Sequence, residues 1–183
     1  MPRLLYGKRG GQPGAFGKPG GFRAFLSELL EGPLSTRLGR PYATKDIASI
    51  TLVAHSAGYE ATIAIMERGE VGPLIRAVVL LDALYAFEDR YARYARDHSD
   101  GGFRLITVSL RGGKPARNCS KLEQLLVRAL GPDAVAQAGA SELGAAIKSH
   151  RFVIAEGRGP HGKVPQRHMT EVLARLGLPE RKR

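Results

Sequence analysis

The chain holds a single cysteine, Cys119. It therefore cannot close an internal disulfide or anchor a multi-cysteine metal site. Long apolar runs are missing as well. Stretches such as Ala77–Leu81 fall far short of the roughly 20 residues a membrane-spanning helix needs. At the N-terminus Leu4, Leu5 and Tyr6 run directly into Lys8, Arg9 and glycines. That order does not give the charged, apolar and small-residue segments of a secretory signal, and a cytoplasmic protein is expected. Acidic side chains are scarce: 17 Asp and Glu face 28 Lys and Arg, a net charge of +11. Such an excess invites a nucleic-acid partner. The basic residues are nevertheless dispersed, with short clusters only at Lys8–Arg9 and Arg181–Lys182–Arg183. No zinc-finger spacing, RNP-like aromatic motif or basic heptad region accompanies them, so no specific nucleic acid is expected. Solubility, or weak attraction to anionic surfaces, accounts for the charge.

Two phosphate-binding loops are also lacking. A Walker A loop needs Gly-Lys-Ser/Thr, but Gly17–Lys18 is followed by Pro19, and no G-x-G-x-x-G fingerprint precedes the first helix. No organic cofactor or metal is implied.

What remains is a chain of 183 residues, 43% hydrophobic, of a size to form one domain over 1–183. RLLY at 3–6 reads as a short strand that runs into a glycine-rich loop, so 1–21 form an N-terminal strand and loop. FRAFLSELLEG places Phe22, Phe25, Leu26, Leu29 and Leu30 on one helical face, with Gly32 and Pro33 as stop signals and a loop over 34–46. ITLVAH (50–55), IRAVVLLDALY (75–85), FRLITVSL (103–110) and RFVIAEG (151–157) read as buried strands. Between them lie helical patterns from Ala57, over 85–98 and over about 120–130, with a last helix at VPQRHMTEVLARLG. RGGKPARN reads as loop, the alanine-rich stretch 134–147 as helical, and 178–183 as a basic tail. Strands apolar on both faces and alternating with helices predict a single three-layer α/β domain. Its sheet should be mostly parallel, with about five strands flanked by helices.

The junction VAHSAGY (53–59) carries the most chemistry. A nucleophile elbow needs small residues two before and two after its serine, and Ala54 and Gly58 meet that need around Ser56. The alternative is a serine that merely caps a helix. AHSAG resembles the elbow of the α/β-hydrolase superfamily, in the variant where alanine replaces the first glycine of G-x-S-x-G, as in some small bacterial lipases. The resemblance covers the order of elements over about 3–176 and is specific only around 50–69. It implies an esterase-like serine hydrolase acting on a carboxylic ester, or an amide or thioester, with acid and histidine following the serine in that order.

His161, between the last strand and the last helix, matches the family's base, and His168, inside the helical run, is second choice. His55, His98 and His150 are poorly placed for that role. The loop that usually supplies the acid, RGGKPARNCS, has no carboxylate, so Asp82 at the end of VVLLD takes the part, with Glu156 second. Asp82 could instead cap the following helix. The oxyanion would be held by the amides of Ala57 and Lys8, although the glycines around Lys8 could serve flexibility alone. The segment 85–98, with three tyrosines and three arginines, sits where the family inserts lids or caps, and it also reads as an amphipathic helix packed on the sheet. Relative to full-sized members the front strands are missing, which leaves a minimal hydrolase or a chain that begins late. A different class stays open: a non-catalytic or degenerate domain of this type that binds an anionic partner through its positive charge.

Overall fold

The computed structural model describes residues 13–177. The expected strand at 3–6, Lys8 and the basic tail at 178–183 lie outside them. Five strands form one sheet: β1 (Ile50–His55), β2 (Ile75–Leu81), β3 (Arg104–Ser109), β4 (Val135–Ala138) and β5 (Phe152–Glu156). Their order is β1-β2-β3-β5-β4 and every pairing is parallel. The helices are α1 (Gly21–Leu29), α2 (Ser35–Leu38), α3 (Tyr59–Arg68), α4 (Glu88–Asp97), α5 (Lys114–Leu130), α6 (Leu143–Ser149) and α7 (Val164–Arg175). None among the described residues is long and apolar enough to cross a membrane.

Because side chains alternate along a strand, the central strands β2, β3 and β5 each feed two cores. Leu52, Ala54, Val78, Leu80, Leu105 and Phe152 face one layer. There they meet Ile63 and Met66 of α3, Tyr91 and Ala95 of α4, and Leu122 and Leu126 of α5. Val79, Leu81, Ile106, Val108 and Val153 face the other layer, against Leu143 and Ile147 of α6 and Val164 and Val172 of α7. Each such buried aliphatic side chain contributes about 1.5–3 kcal/mol. The two cores together make the three-layer α/β domain that the sequence predicts.

The structure departs from the sequence pattern in several elements. The stretch 134–147 is not one helix. Val135–Ala138 form edge strand β4, and the helix comes later as α6. Alanine favours helix, but pairing with β5 overrides that preference along this segment. Gly32 and Pro33 do not stop the first helix. The chain widens into a single π turn over Leu30–Leu34 and continues as α2 to Leu38. Proline has no N–H to offer the Leu29 carbonyl one turn back, and the Leu30 carbonyl accepts both the backbone N–H of Ser35 and, at 2.7 Å, its hydroxyl. Helix α5 begins at Lys114, inside the expected loop, with Pro115 in its first turn where a missing N–H costs nothing. Strand β2 ends at Leu81 rather than 85, because Asp82 adopts the left-handed region at φ 49°. Within segment 85–98, Glu88–Asp97 form a packed amphipathic helix, α4, with Tyr91 and Tyr94 buried. Burial raises both phenols, Tyr94 to about 12. The Tyr91 hydroxyl donates to the Tyr59 carbonyl at 2.8 Å, tying α4 to the start of α3.

Candidate functional site

Ser56 stands where β1 ends and a short 3-10 turn, Ser56–Gly58, leads into α3. Its φ is 54°, a left-handed conformation that costs a non-glycine residue about 1–2 kcal/mol. The turn closes tightly on its small residues: a Cβ added at Gly58 would lie 3.2 Å from the Ala54 Cβ. A larger residue at either position would therefore open the bend that presents Ser56. Ala57 follows inside that turn, at the positive end of the α3 dipole.

Asp82 closes β2 next door and is 4% exposed. A buried carboxylate needs partners, and three bonds hold this residue. Its amide donates to the Val108 carbonyl at 2.6 Å. Its Oδ1 accepts from the Leu110 amide at 3.1 Å. Its Oδ2 lies 2.6 Å from Nδ1 of His161, across 79 residues of sequence. The loop RGGKPARN supplies no acid, yet Leu110 just before it fixes one from the neighbouring strand.

His161 begins the 3-10 turn after β5, and its side chain is 40% exposed. The bond to Asp82 engages Nδ1 and leaves Nε2 facing away from the carboxylate. Among the described residues no hydrogen bond joins His161 to the Ser56 hydroxyl.

The sequence pattern gives no role to His55, and the structure supplies one. Nε2 of His55 donates to the His161 carbonyl at 3.0 Å. The two rings lie 4.5 Å apart at 30°. The residue directly before Ser56 thus fastens the loop of His161 to the elbow. Its place at the last position of β1 was the available signal.

Aromatic rings border the same spot. Tyr85 meets His161 edge-on at 6.4 Å, and Tyr59 lies 6.0 Å from Tyr85 and 5.7 Å from Phe87. Burial, and then the charge of Asp82, raise the Tyr85 phenol. Phe87 itself is held at φ 69°, with the Arg90 guanidinium 4.6 Å over its ring.

The second-choice residues sit elsewhere. His168 is buried within α7, where its Nε2 accepts the Arg158 amide at 3.2 Å and its Nδ1 has no partner. Burial lowers its pKa. It braces the loop that carries His161. Glu156 ends β5 with its carboxylate paired to Arg111 at 3.1 Å. His98 stacks on Tyr94 at 3.9 Å and His150 bonds Ser149, so both are occupied away from Ser56. Among the described residues no group of three or more His, Cys, Asp or Glu side chains could hold a metal ion. Compared with protein-family models, with curated proteins and with solved structures, the chain has no match in any of the three.

Proposed function

We propose that the chain is a serine hydrolase that cleaves a carboxylic ester, or an amide or thioester, through an acyl-enzyme. Ser56 attacks the carbonyl carbon while His161 takes its proton through Nε2. The same imidazole then returns the proton to the leaving group, and Asp82 holds the ring in the tautomer this requires. The Ala57 amide, at the start of α3, stabilises the oxyanion. Lys8 is the candidate second donor. Water repeats the sequence on the acyl-enzyme and frees Ser56. The Tyr59–Tyr85–Phe87 rings give the apolar part of such a substrate a wall beside the imidazole.

One observation carries this reading: the buried Asp82 carboxylate bonded to Nδ1 of a partly exposed histidine, on loops that meet at a strained serine turn. A purely structural Asp–His pair needs no serine at φ 54° beside it. The link between Ser56 and His161 is then the one that bound substrate tightens.

The test is labelling of the folded chain with a fluorophosphonate probe, alongside hydrolysis of p-nitrophenyl esters. Wild type should label and Ser56→Ala should not. Absence of labelling in folded wild type, or equal labelling of Ser56→Ala, overturns the proposal.

A further inference from the structure

The loops that leave β1 and β2 bring three aromatic rings to one place. Tyr59 opens α3, and Tyr85 and Phe87 lie between β2 and α4. The rings form a series: Phe87 lies 5.7 Å from Tyr59, Tyr59 lies 6.0 Å from Tyr85, and Tyr85 lies 6.4 Å from His161. The series therefore ends at the imidazole that Asp82 holds. Each of the three rings is only half-buried, whereas Tyr91 in the layer beside them is covered completely. They keep open surface next to the histidine.

That surface is fixed from behind by polar bonds. Asn118 of α5, itself buried, donates Nδ2 to the Leu84 carbonyl at 3.1 Å and so holds the backbone just before Tyr85. The buried Tyr91 hydroxyl holds the Tyr59 carbonyl in the same way. Phe87 sits at φ 69°, a conformation a bulky residue keeps only where its surroundings enforce it. Arg90 supplies part of that enforcement, with its guanidinium 4.6 Å from the centre of the Phe87 ring. Glu67 of α3 grips the same guanidinium with both carboxylate oxygens, Oε1 at 2.7 Å from Nε. This charge-assisted fork lowers the Glu67 carboxyl and raises the Arg90 guanidinium. A chain of contacts thus runs from α3 through α4 to the ring farthest from His161.

Under the hydrolase reading, His161 hands its proton to the leaving oxygen, so the leaving group lies on the imidazole's side, where the rings are. Rings at these spacings present both faces and edges. An aromatic group answers both, by stacking and by edge-on contact, and gains about threefold to tenfold per ring pair over what its area alone gives. A saturated group of the same size gains the area alone.

We propose, resting on the hydrolase reading, that the ester cleaved at Ser56 carries an aromatic group on its alcohol side. That group lies against Tyr85, Tyr59 and Phe87. Phe87 determines the specificity, and Arg90 and Glu67 are positioning residues that hold its ring.

The test is steady-state hydrolysis of benzyl acetate against cyclohexylmethyl acetate, two esters of similar size and leaving-group basicity, with fluorophosphonate labelling in parallel. Wild type should favour the benzyl ester by about tenfold in kcat/KM, as one or two ring pairs supply. Phe87→Leu should bring the ratio near one, and Tyr85→Leu, at a position free of backbone strain, should do the same. Arg90→Gln and Glu67→Gln should raise KM for the benzyl ester and leave kcat unchanged, the mark of lost binding rather than lost chemistry. Arg90→Lys keeps a cation for the ring and for Glu67, and should recover part of that KM. A merely structural role would instead depress labelling and both esters alike. Methyl phenylacetate and methyl cyclohexylacetate, which move the ring to the acyl side, should be cleaved equally well. Equal kcat/KM for the two acetates in a wild type that labels overturns the proposal. So does a ratio that survives both leucine variants, or an aromatic preference on the acyl side instead. Folded wild type that fails to label overturns the hydrolase reading and this proposal with it.

Discussion

The two ends of the sheet's carboxyl edge are finished in opposite ways. At β1 and β2 the polar groups bond one another. Asp82 is held by Val108, Leu110 and His161, and His161 in turn by His55. At β3 and β5, two strand spacings away, the strand ends border an open crevice lined by Ser109, Glu156 and Arg158, and Gly113 leaves the head of α5 without a side-chain cap. The first end stores strain, with Ser56 and Asp82 both at positive φ, and its bonds are what keep that strain in place. The second end is open, with little to lose when a side chain is trimmed. A bond network made within the chain is suited to aiming groups, and an open strand edge leaves room beside them.

This contrast can be broken most directly at Asp82. Asp82→Asn keeps the shape but offers His161 an amide, and under the hydrolase reading kcat should fall by roughly 10^4-fold. Hydrolysis of p-nitrophenyl acetate checks this, and unchanged turnover would remove Asp82 from the reaction. Next in size is the elbow. Gly58→Val drives a branched side chain against Ala54, and overpacking of this kind costs about 1–3 kcal/mol. Urea denaturation should show that loss, together with loss of probe labelling.

His168 tests the bracing of the loop through pH. Its pKa is lowered in the fold, so between the folded and the unfolded value, near 6.5, the unfolded chain binds the extra proton. The stability contributed by neutral His168 is therefore complete above that unfolded value. It is lost progressively as pH falls toward the folded one. His168→Phe should flatten this acid limb, seen by comparing urea midpoints at pH values above and below the unfolded pKa. The smallest effect belongs to the open end. Ser109→Ala removes a hydroxyl whose partner is the Cys119 thiol, a weak bond, and should change stability by no more than about 1 kcal/mol. A larger loss would mean that Ser109 is part of a network after all.

Much of this was legible in the sequence because the relevant signals are local. The β-branched and apolar runs at 50–55, 75–81 and 103–109 mark strands through their own composition. The small residues at 54 and 58 mark the elbow for the same reason. Strand β4 was not legible, since VAQA has no strand signature of its own and is a strand only because β5 lies beside it. The continuation past Pro33 was hidden because Gly32 and Pro33 read locally as a stop, whereas a π turn over Leu30–Leu34 carries the chain through them. Asp82 and His161 could be nominated by their order along the chain, but nothing local gave the 2.6 Å between them. The role of His55 lay wholly in a contact across 106 residues, and the crevice at the strand ends appears only once β3, β4 and β5 stand side by side.

That long reach has a consequence in time. The bonds of His161 to Asp82 and to His55 span 79 and 106 residues, and contacts so distant close late because the intervening chain must first be ordered. A chain emerging from the ribosome has its serine turn long before it has the histidine. Under the hydrolase reading, the elbow has no base to work with until β5 and the loop after it are made. On that reading, folding of the last strand is the event that arms Ser56, and a growing chain carries no reactive serine while its neighbours are still being synthesised.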